Sequence, residues 1–199
     1  MKKQLLLIVA LLVGTIGLRA QTQGIDFTSP TIDFTNGQWS LGYEFSVAGS
    51  VTVDGLGMYD DQKNGFVDEA HQVGLWTSSG TLLASAWVSS GNPLLGWFRY
   101  ATISAVTLGS GNYIVASTTG NDNYTWDPVG FTTAPGITYV GDRFVSSGSL
   151  AFPTNSSGVT GWFGGNVRLT DRNSVPDSSA TLLMLAGGLG IVAALRRRR

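Results

Sequence analysis

From Leu41 onward, apolar side chains stand at every second position: Leu41, Tyr43, Phe45 and Val47 alternate with Gly42, Glu44 and Ser46. A period of two predicts a strand with one buried face. Similar short runs cover Val51 to Tyr59, His71 to Thr77, Leu82 to Val88, Trp97 to Ser104, Asn112 to Thr118, Ile137 to Val145 and Gly161 to Thr170, with Gly, Ser, Asn and Pro clustered between them. Helical periodicity is nearly absent. About eight to ten strands at this spacing, with no room for crossover helices, predict antiparallel pairing in two packed sheets. The expected fold is all-β, a jelly-roll-like antiparallel β-sandwich. Gly55 and Gly57 interrupt their strand and predict a bulge or bend. Ser146 to Ser149 and Asn155 to Gly158 read as surface loops. No G-x-G-x-x-G links a strand to a helix, so the 27 glycines read as turn residues.

Both ends break this pattern. Lys2 and Lys3 precede an apolar stretch from Leu5 to Val13, and Ala20 is a small residue before Gln21. This predicts a secretory signal peptide over residues 1–20, with Leu18 at the −3 position larger than usual. At the other end, an apolar segment from Ala180 to Leu195 closes on Arg196, Arg197, Arg198 and Arg199. As a helix, Thr181 to Leu195 would be about 22 Å long, short of the roughly 30 Å hydrocarbon core. Ser178 to Ala180 extend it and the arginines snorkel, keeping to the cytoplasmic headgroups. The segment before it reads Val175-Pro176-Asp177-Ser178. Motif, short apolar helix and terminal arginines together closely resemble the PEP-CTERM sorting tail of exported bacterial proteins, in its Val-Pro-Asp-Ser-Gly variant with Ser179 in place of the Gly. That resemblance implies an exosortase-like membrane protease as partner, besides the secretion machinery, and a transient membrane anchor at 180–195. Pro176 suits a protease cleft because it holds its neighbours extended.

The expected organisation is therefore a signal peptide at 1–20, a β-sandwich domain at 21–172 and a sorting signal at 173–199. Between Gln21 and Ser174 five basic residues (Lys63, Arg99, Arg143, Arg168, Arg172) face twelve acidic ones, a formal charge of −7 that the whole-chain value of −1 conceals. A nucleic-acid partner is not expected from such a surface. The chain has no Cys, which excludes disulfides, thiol catalysis and a lipoprotein anchor, and leaves stability to burial.

Within the middle segment, Gly57-Met-Tyr-Asp-Asp61, Asn64-Gly65, His71-Gln-Val-Gly-Leu-Trp76, Ser79-Gly-Thr-Leu-Leu-Ala-Ser85, Phe98-Arg-Tyr100 and Gly111-Asn-Tyr-Ile-Val115 form a diffuse pattern, continued by Ala151-Phe-Pro153 and Gly164-Gly-Asn-Val167. The pattern is similar to DUF4082, a β-sandwich domain that recurs in PEP-CTERM proteins. The resemblance implies the sandwich and brings no established activity.

Candidate chemistry is sparse. His71, the single histidine, is in phase with Val73 and Leu75 and reads as a strand residue with one ring nitrogen bonded to backbone. No G-x-S-x-G elbow and no second His accompany it, so neither a Ser-His-Asp triad nor a histidine metal pair is indicated. Asp60, Asp61, Asn64, Asp68 and Glu69 crowd around Gly65 and offer hard oxygen ligands for calcium, against the plainer reading of a solvated hairpin loop. Asn121, Asp122, Asn123 and Asp127 form a second polar group with the composition of a turn.

Six tryptophans raise glycan binding, since an exposed ring stacks on a sugar face. Most read as core or as covers for the sandwich ends. Trp126, between Tyr124 and Asp127 in a polar stretch, is the candidate for an exposed loop and glycan contact. The functional expectation is an exported, non-enzymatic surface or extracellular-matrix protein, a structural, adhesive or glycan-binding module in extracellular polysaccharide. The alternative is a secreted hydrolase acting on that polysaccharide, which would need two converging carboxylates.

Overall fold

In the computed structural model, residues 21–158 and 160–170 are described. They hold fifteen strands: Gln21–Gln23 (β1), Ile25–Asp26 (β2), Ile32–Phe34 (β3), Trp39–Val47 (β4), Val51–Tyr59 (β5), Ala70–Thr77 (β6), Leu82–Ser89 (β7), Leu94–Leu95 (β8), Phe98–Leu108 (β9), Gly111–Thr118 (β10), Tyr124–Trp126 (β11), Thr132–Thr133 (β12), Ile137–Ser146 (β13), Gly161–Phe163 (β14) and Gly165–Thr170 (β15). The signal peptide at 1–20 and the sorting segment with its span at 180–195 lie outside the described residues. Among the described residues no helix is long and apolar enough to cross a membrane.

Two five-stranded sheets carry the fold, one ordered β1-β15-β5-β9-β8 and the other β13-β4-β10-β6-β7. Every pairing is antiparallel. Counting β1, β4, β5, β6, β7, β9, β10 and β15 as the eight principal strands, one sheet runs first, eighth, third, sixth and the other second, seventh, fourth, fifth. This is the interleaved order of a jelly roll. β8 and β13 each lengthen one edge, and β14-β11-β3 and β12-β2 form two small sheets beside the main pair.

The alternating residues face the interior. Tyr43 and Phe45 of β4, Leu56 and Met58 of β5, Val73 and Leu75 of β6, Phe98 and Tyr100 of β9, Val115 of β10 and Val167 of β15 are all buried in one core. Phe163 is an aromatic hub, stacked on Phe131 at 5.3 Å and meeting Tyr43, Phe27 and Tyr139 at about 6 Å.

Gly55 does mark a bulge: the register of β5 against both β9 and β15 shifts at this point, passing over Asp54. The bulge frees Asp54 to take the Arg168 guanidinium at 2.8 Å, which also reaches Thr102 Oγ1 at 3.1 Å. Gly57 has a different role. Its pairing is regular, and a Cβ there would stand 2.5 Å from the Tyr100 ring, so it is glycine to let that ring lie flat on the strand. The run expected from Gly161 to Thr170 is two strands, because Gly164 redirects the chain from a small sheet to a main one. A side chain at Gly164 would meet Ser117 Oγ at 2.7 Å.

One polar device crosses the core. Asn166 of β15 is fully buried, and its Oδ1 accepts from Tyr43 Oη at 2.8 Å, Val167 N at 2.8 Å and Ile25 N at 3.2 Å, while its Nδ2 donates to Ile25 O at 2.9 Å. Tyr43 belongs to the opposite sheet, so the amide joins both sheets to β2. Burial holds the Tyr43 phenol far above its ordinary pKa, so it serves as a neutral donor throughout the working pH range.

Asn166→Leu removes the side-chain partner of a buried phenol, two N–H groups and a C=O, at roughly 1–3 kcal/mol for each group left unsatisfied. Denaturant unfolding is expected to show a loss of several kcal/mol. Tyr43→Phe removes only one of three donors to Oδ1 and is expected to cost about 1 kcal/mol.

Candidate functional site

An aromatic surface gathers around the small sheet β14-β11-β3. Trp39, Leu41, Tyr124, Phe144 and Trp162, with Asn36 and Ser157, line a half-open cleft of about 210 Å³. These residues come from β4, β11, β13, β14 and two loops, so no local stretch of sequence displays the site. Trp39 packs edge-on against Phe144 at 5.9 Å, and Tyr124 against Trp162 at 5.7 Å. Asn36 Oδ1 accepts from Trp39 Nε1 at 2.8 Å and from Tyr124 Oη at 2.7 Å. One exposed amide thereby fixes two rings.

Trp162 is held by a relay. Its Nε1 donates to Ser157 Oγ at 2.9 Å, and that hydroxyl donates to Asp142 Oδ2 at 2.8 Å. Asp142 is fully buried and also accepts from Ser157 N at 2.9 Å, Gly158 N at 3.0 Å and Ser156 Oγ at 3.1 Å. The loop Asn155 to Gly158 is thus a surface loop pinned by an interior carboxylate. Trp162 adopts φ +66, a left-handed backbone that a bulky residue takes only when its surroundings over-determine it. The hydrogen bond of its indole to Ser157, and the Phe34 and Trp126 rings at 5.6 and 5.7 Å, supply that constraint.

Trp126 sits in strand β11, paired with both β3 and β14, and not in the exposed loop its polar neighbours suggest. It is half-buried and stacks on the Trp162 ring at 5.7 Å and 27°. It therefore backs the cleft ring from behind. Tyr124 is buried with its hydroxyl on Asn36, and Asp127 is exposed at φ +46. The most exposed indole among the described residues is Trp87 on edge strand β7, at 63%.

The acidic loop after β5 is dispersed. Asp60 is 0% exposed, takes the Arg99 Nε at 2.6 Å and accepts from Gly65 N at 3.0 Å. Its carboxylate is spent on holding the loop, while Lys63 lies over the Trp97 ring at 3.9 Å. Asp61 accepts from Asn123 Nδ2 at 2.9 Å, and Asn64 and Glu69 are exposed. Among the described residues, one group of His and carboxylates lies within metal-ligand reach: Asp68, His71 and Asp122, drawn from both acidic stretches. His71 bonds backbone through one nitrogen, as its strand position implies, with Nδ1 at 2.9 Å from Thr118 O. Its other nitrogen, 2.8 Å from Asp122 Oδ2, is a contact that a separation of 51 residues hides from the sequence.

Asp33, on β3, accepts the Tyr59 hydroxyl at 2.6 Å. Burial raises its pKa, the Tyr59 bond opposes that rise, and the neighbouring Asp61 charge adds to it.

An antiparallel jelly-roll sandwich with an aromatic cleft beside its small sheet defines the class of protein. The chain belongs to the DUF4082 family: the model for this domain of unknown function matches residues 28–163. A VPDSG-CTERM motif matches residues 174–199, so both resemblances read from the sequence hold. No curated protein and no solved structure matches the chain.

A raised carboxyl destabilises the fold once it ionises, so stability contributed through Asp33 falls as pH climbs from its unfolded value of 3.8 through its higher folded value. Asp33→Asn keeps an acceptor for Tyr59 and removes the charge. Melting at neutral pH is expected to be equal to or higher than in the parent protein, with the gain vanishing below about pH 4.

Proposed function

We propose that this exported protein is a non-enzymatic surface module that binds glycan through the Trp39–Tyr124–Phe144–Trp162 cleft. The VPDSG-CTERM motif marks a protein exported, sorted by its carboxy-terminal tail and processed by an exosortase-like system, with a cell-surface or extracellular destination. The observation that carries the binding reading is the cleft itself. Sugar rings present apolar C–H faces edged with hydroxyls, and this cleft offers fixed aromatic faces next to Asn36 and Ser157. Its rings are oriented before any ligand arrives, which cuts the entropy cost of binding. Val175, Pro176, Asp177 and Ser178 would be read by the protease, and Arg196 to Arg199 would stop the tail at the cytoplasmic face.

The competing reading, a secreted hydrolase, would take Asp33 and Asp61 as its carboxylates. Neither lines the cleft. Asp33 is engaged by Tyr59 and Asp61 by Asn123, so the pair supports the loops.

Two measurements test this reading. In pull-down of the full-length protein with extracellular polysaccharide, Trp162→Ala and Trp39→Ala are each expected to weaken binding about tenfold, equivalent to about 1.4 kcal/mol. Trp126→Ala is expected to weaken it less, by loosening Trp162, and Trp87→Ala not at all. Equal binding by all four variants would remove the cleft from the function. For the tail, mass spectrometry of protein taken from the cell surface is expected to find no peptide containing Arg196 to Arg199.

A further inference from the structure

Where the β5–β6 and β10–β11 loops meet, three side chains converge. Asp68 precedes β6, His71 lies in its first turn of pleat, and Asp122 follows β10; one ligand atom from each lies within 4.8 Å of the other two. His71 is 1% exposed and Asp122 7%, and the Phe66 ring closes one side edge-on at 4.9 Å.

Each member is oriented by a bond from outside the trio. His71 Nδ1 faces the Thr118 carbonyl at 2.9 Å and must donate to it, because a carbonyl only accepts. Asp122 Oδ1 accepts from Val67 N at 2.6 Å. Asp68 accepts from Asn121 N at 2.9 Å and Asn121 Nδ2 at 2.8 Å. Gly120 makes room for Asp68, since a Cβ there would stand 1.8 Å from Asp68 Oδ2. With the Nδ1 proton committed, the neutral imidazole turns the Nε2 lone pair toward two carboxylates. Three acceptors then face one another, and a positive species, either a proton shared by Nε2 and Asp122 or a metal ion, has to stand among them.

We infer that Asp68, His71 and Asp122 bind a divalent transition-metal ion of the zinc class. A ligating His whose remote N–H goes to a backbone carbonyl, beside carboxylates that are themselves hydrogen-bonded, is the support such sites require. One imidazole with two carboxylates suits zinc and its neighbours better than calcium, which takes oxygen ligands. Three protein ligands leave the fourth tetrahedral position to water. At metal–ligand distances near 2.1 Å, neighbouring ligand atoms stand roughly 3.4 Å apart. The His71–Asp122 pair, now 2.8 Å apart, opens by roughly 0.6 Å when the metal replaces the shared proton. The ion would join both loops to β6 without touching the aromatic cleft residues.

The test is titration of chelator-stripped full-length protein with Zn²⁺, read by calorimetry and by melting temperature. One ion per chain is expected, with a rise in melting temperature that EDTA reverses. Asp68→Asn, whose side chain is half-exposed and outside the His71–Asp122 pair, is expected to melt normally without metal and to bind Zn²⁺ at least about tenfold more weakly. His71→Gln is expected to abolish stoichiometric binding. Absence of a one-to-one Zn²⁺ isotherm in the parent protein would overturn the inference and leave His71 as an imidazolium paired with Asp122. Equal Zn²⁺ affinity in Asp68→Asn, or Ca²⁺ bound as tightly as Zn²⁺, would overturn it as well.

Discussion

The fold depends on burying one amide correctly. A two-sheet sandwich is held face to face by side-chain packing, which is strong and non-directional, so apolar contact alone sets the spacing of the sheets better than their alignment. Asn166 adds direction. Its bond to Tyr43 fixes β15 against β4, and its two bonds to Ile25 fasten the amino-terminal chain along β15. The energetic asymmetry of buried polar groups makes this alignment specific: correct pairing is worth little net, and mispairing costs the full desolvation of each stranded group. A chain with no Cys lacks the covalent alternative.

The same logic recurs wherever this protein fixes a loop. Asp60 faces inward and holds the loop after β5 through Arg99 and Gly65; Asp142 faces inward and holds the loop before β14 through Ser156, Ser157 and Gly158; Asp122 receives the amides of Val67 and Asp68. In each case a carboxylate from one segment collects the free N–H groups of a turn that has no strand partner. Burial pushes Asp122 toward the neutral acid, but the His71 contact and the two amides outweigh it and hold its pKa below the ordinary value. Such loops are ordered by directional bonds and not by apolar cover, which suits a surface rich in Gly, Ser and Asn.

The strands legible in the sequence were long ones, eight to ten residues each. β4, β5, β6, β7, β10 and β13 coincide with the apolar runs to within two residues at either end, because a strand of that length places enough large side chains toward the core at every second position to set a period of two. Of the seven two- and three-residue strands, β14 was legible only as part of a longer run and the other six were not legible, since so few residues establish no period and their pairing is decided by distant partners. Trp126 shows the cost. Its neighbours have loop composition, yet β3 on one side and β14 on the other draw it into a sheet. The acidic loop misleads in the opposite direction: composition groups five oxygen-bearing residues together, while the backbone turns Asp60 to Arg99 and Asp68 to Asn121 and the His71–Asp122 pair. What was legible at His71 was the bond set by its own strand; its bond to Asp122 depends on loop placement.

The aromatic cleft lies where the small sheet departs from the main ones, and the departure is what makes it. Had Gly161 to Thr170 continued as one strand, Trp162 would have alternated with Phe163 in a main sheet and faced away from the core with no partner on Asp142. Gly164 redirects the chain, so Phe163 still enters the core against Phe131 while Trp162 turns back at φ +66 onto Phe34 and Trp126. The backbone cost of that turn is of order 1–3 kcal/mol, and it is met by ring packing and by the Ser157–Asp142 relay. A structural indole could have been buried without such strain. Trp162 is thereby held strained, half-exposed and rigidly oriented on the cleft it lines with Trp39, and the proposed binding role rests on that orientation.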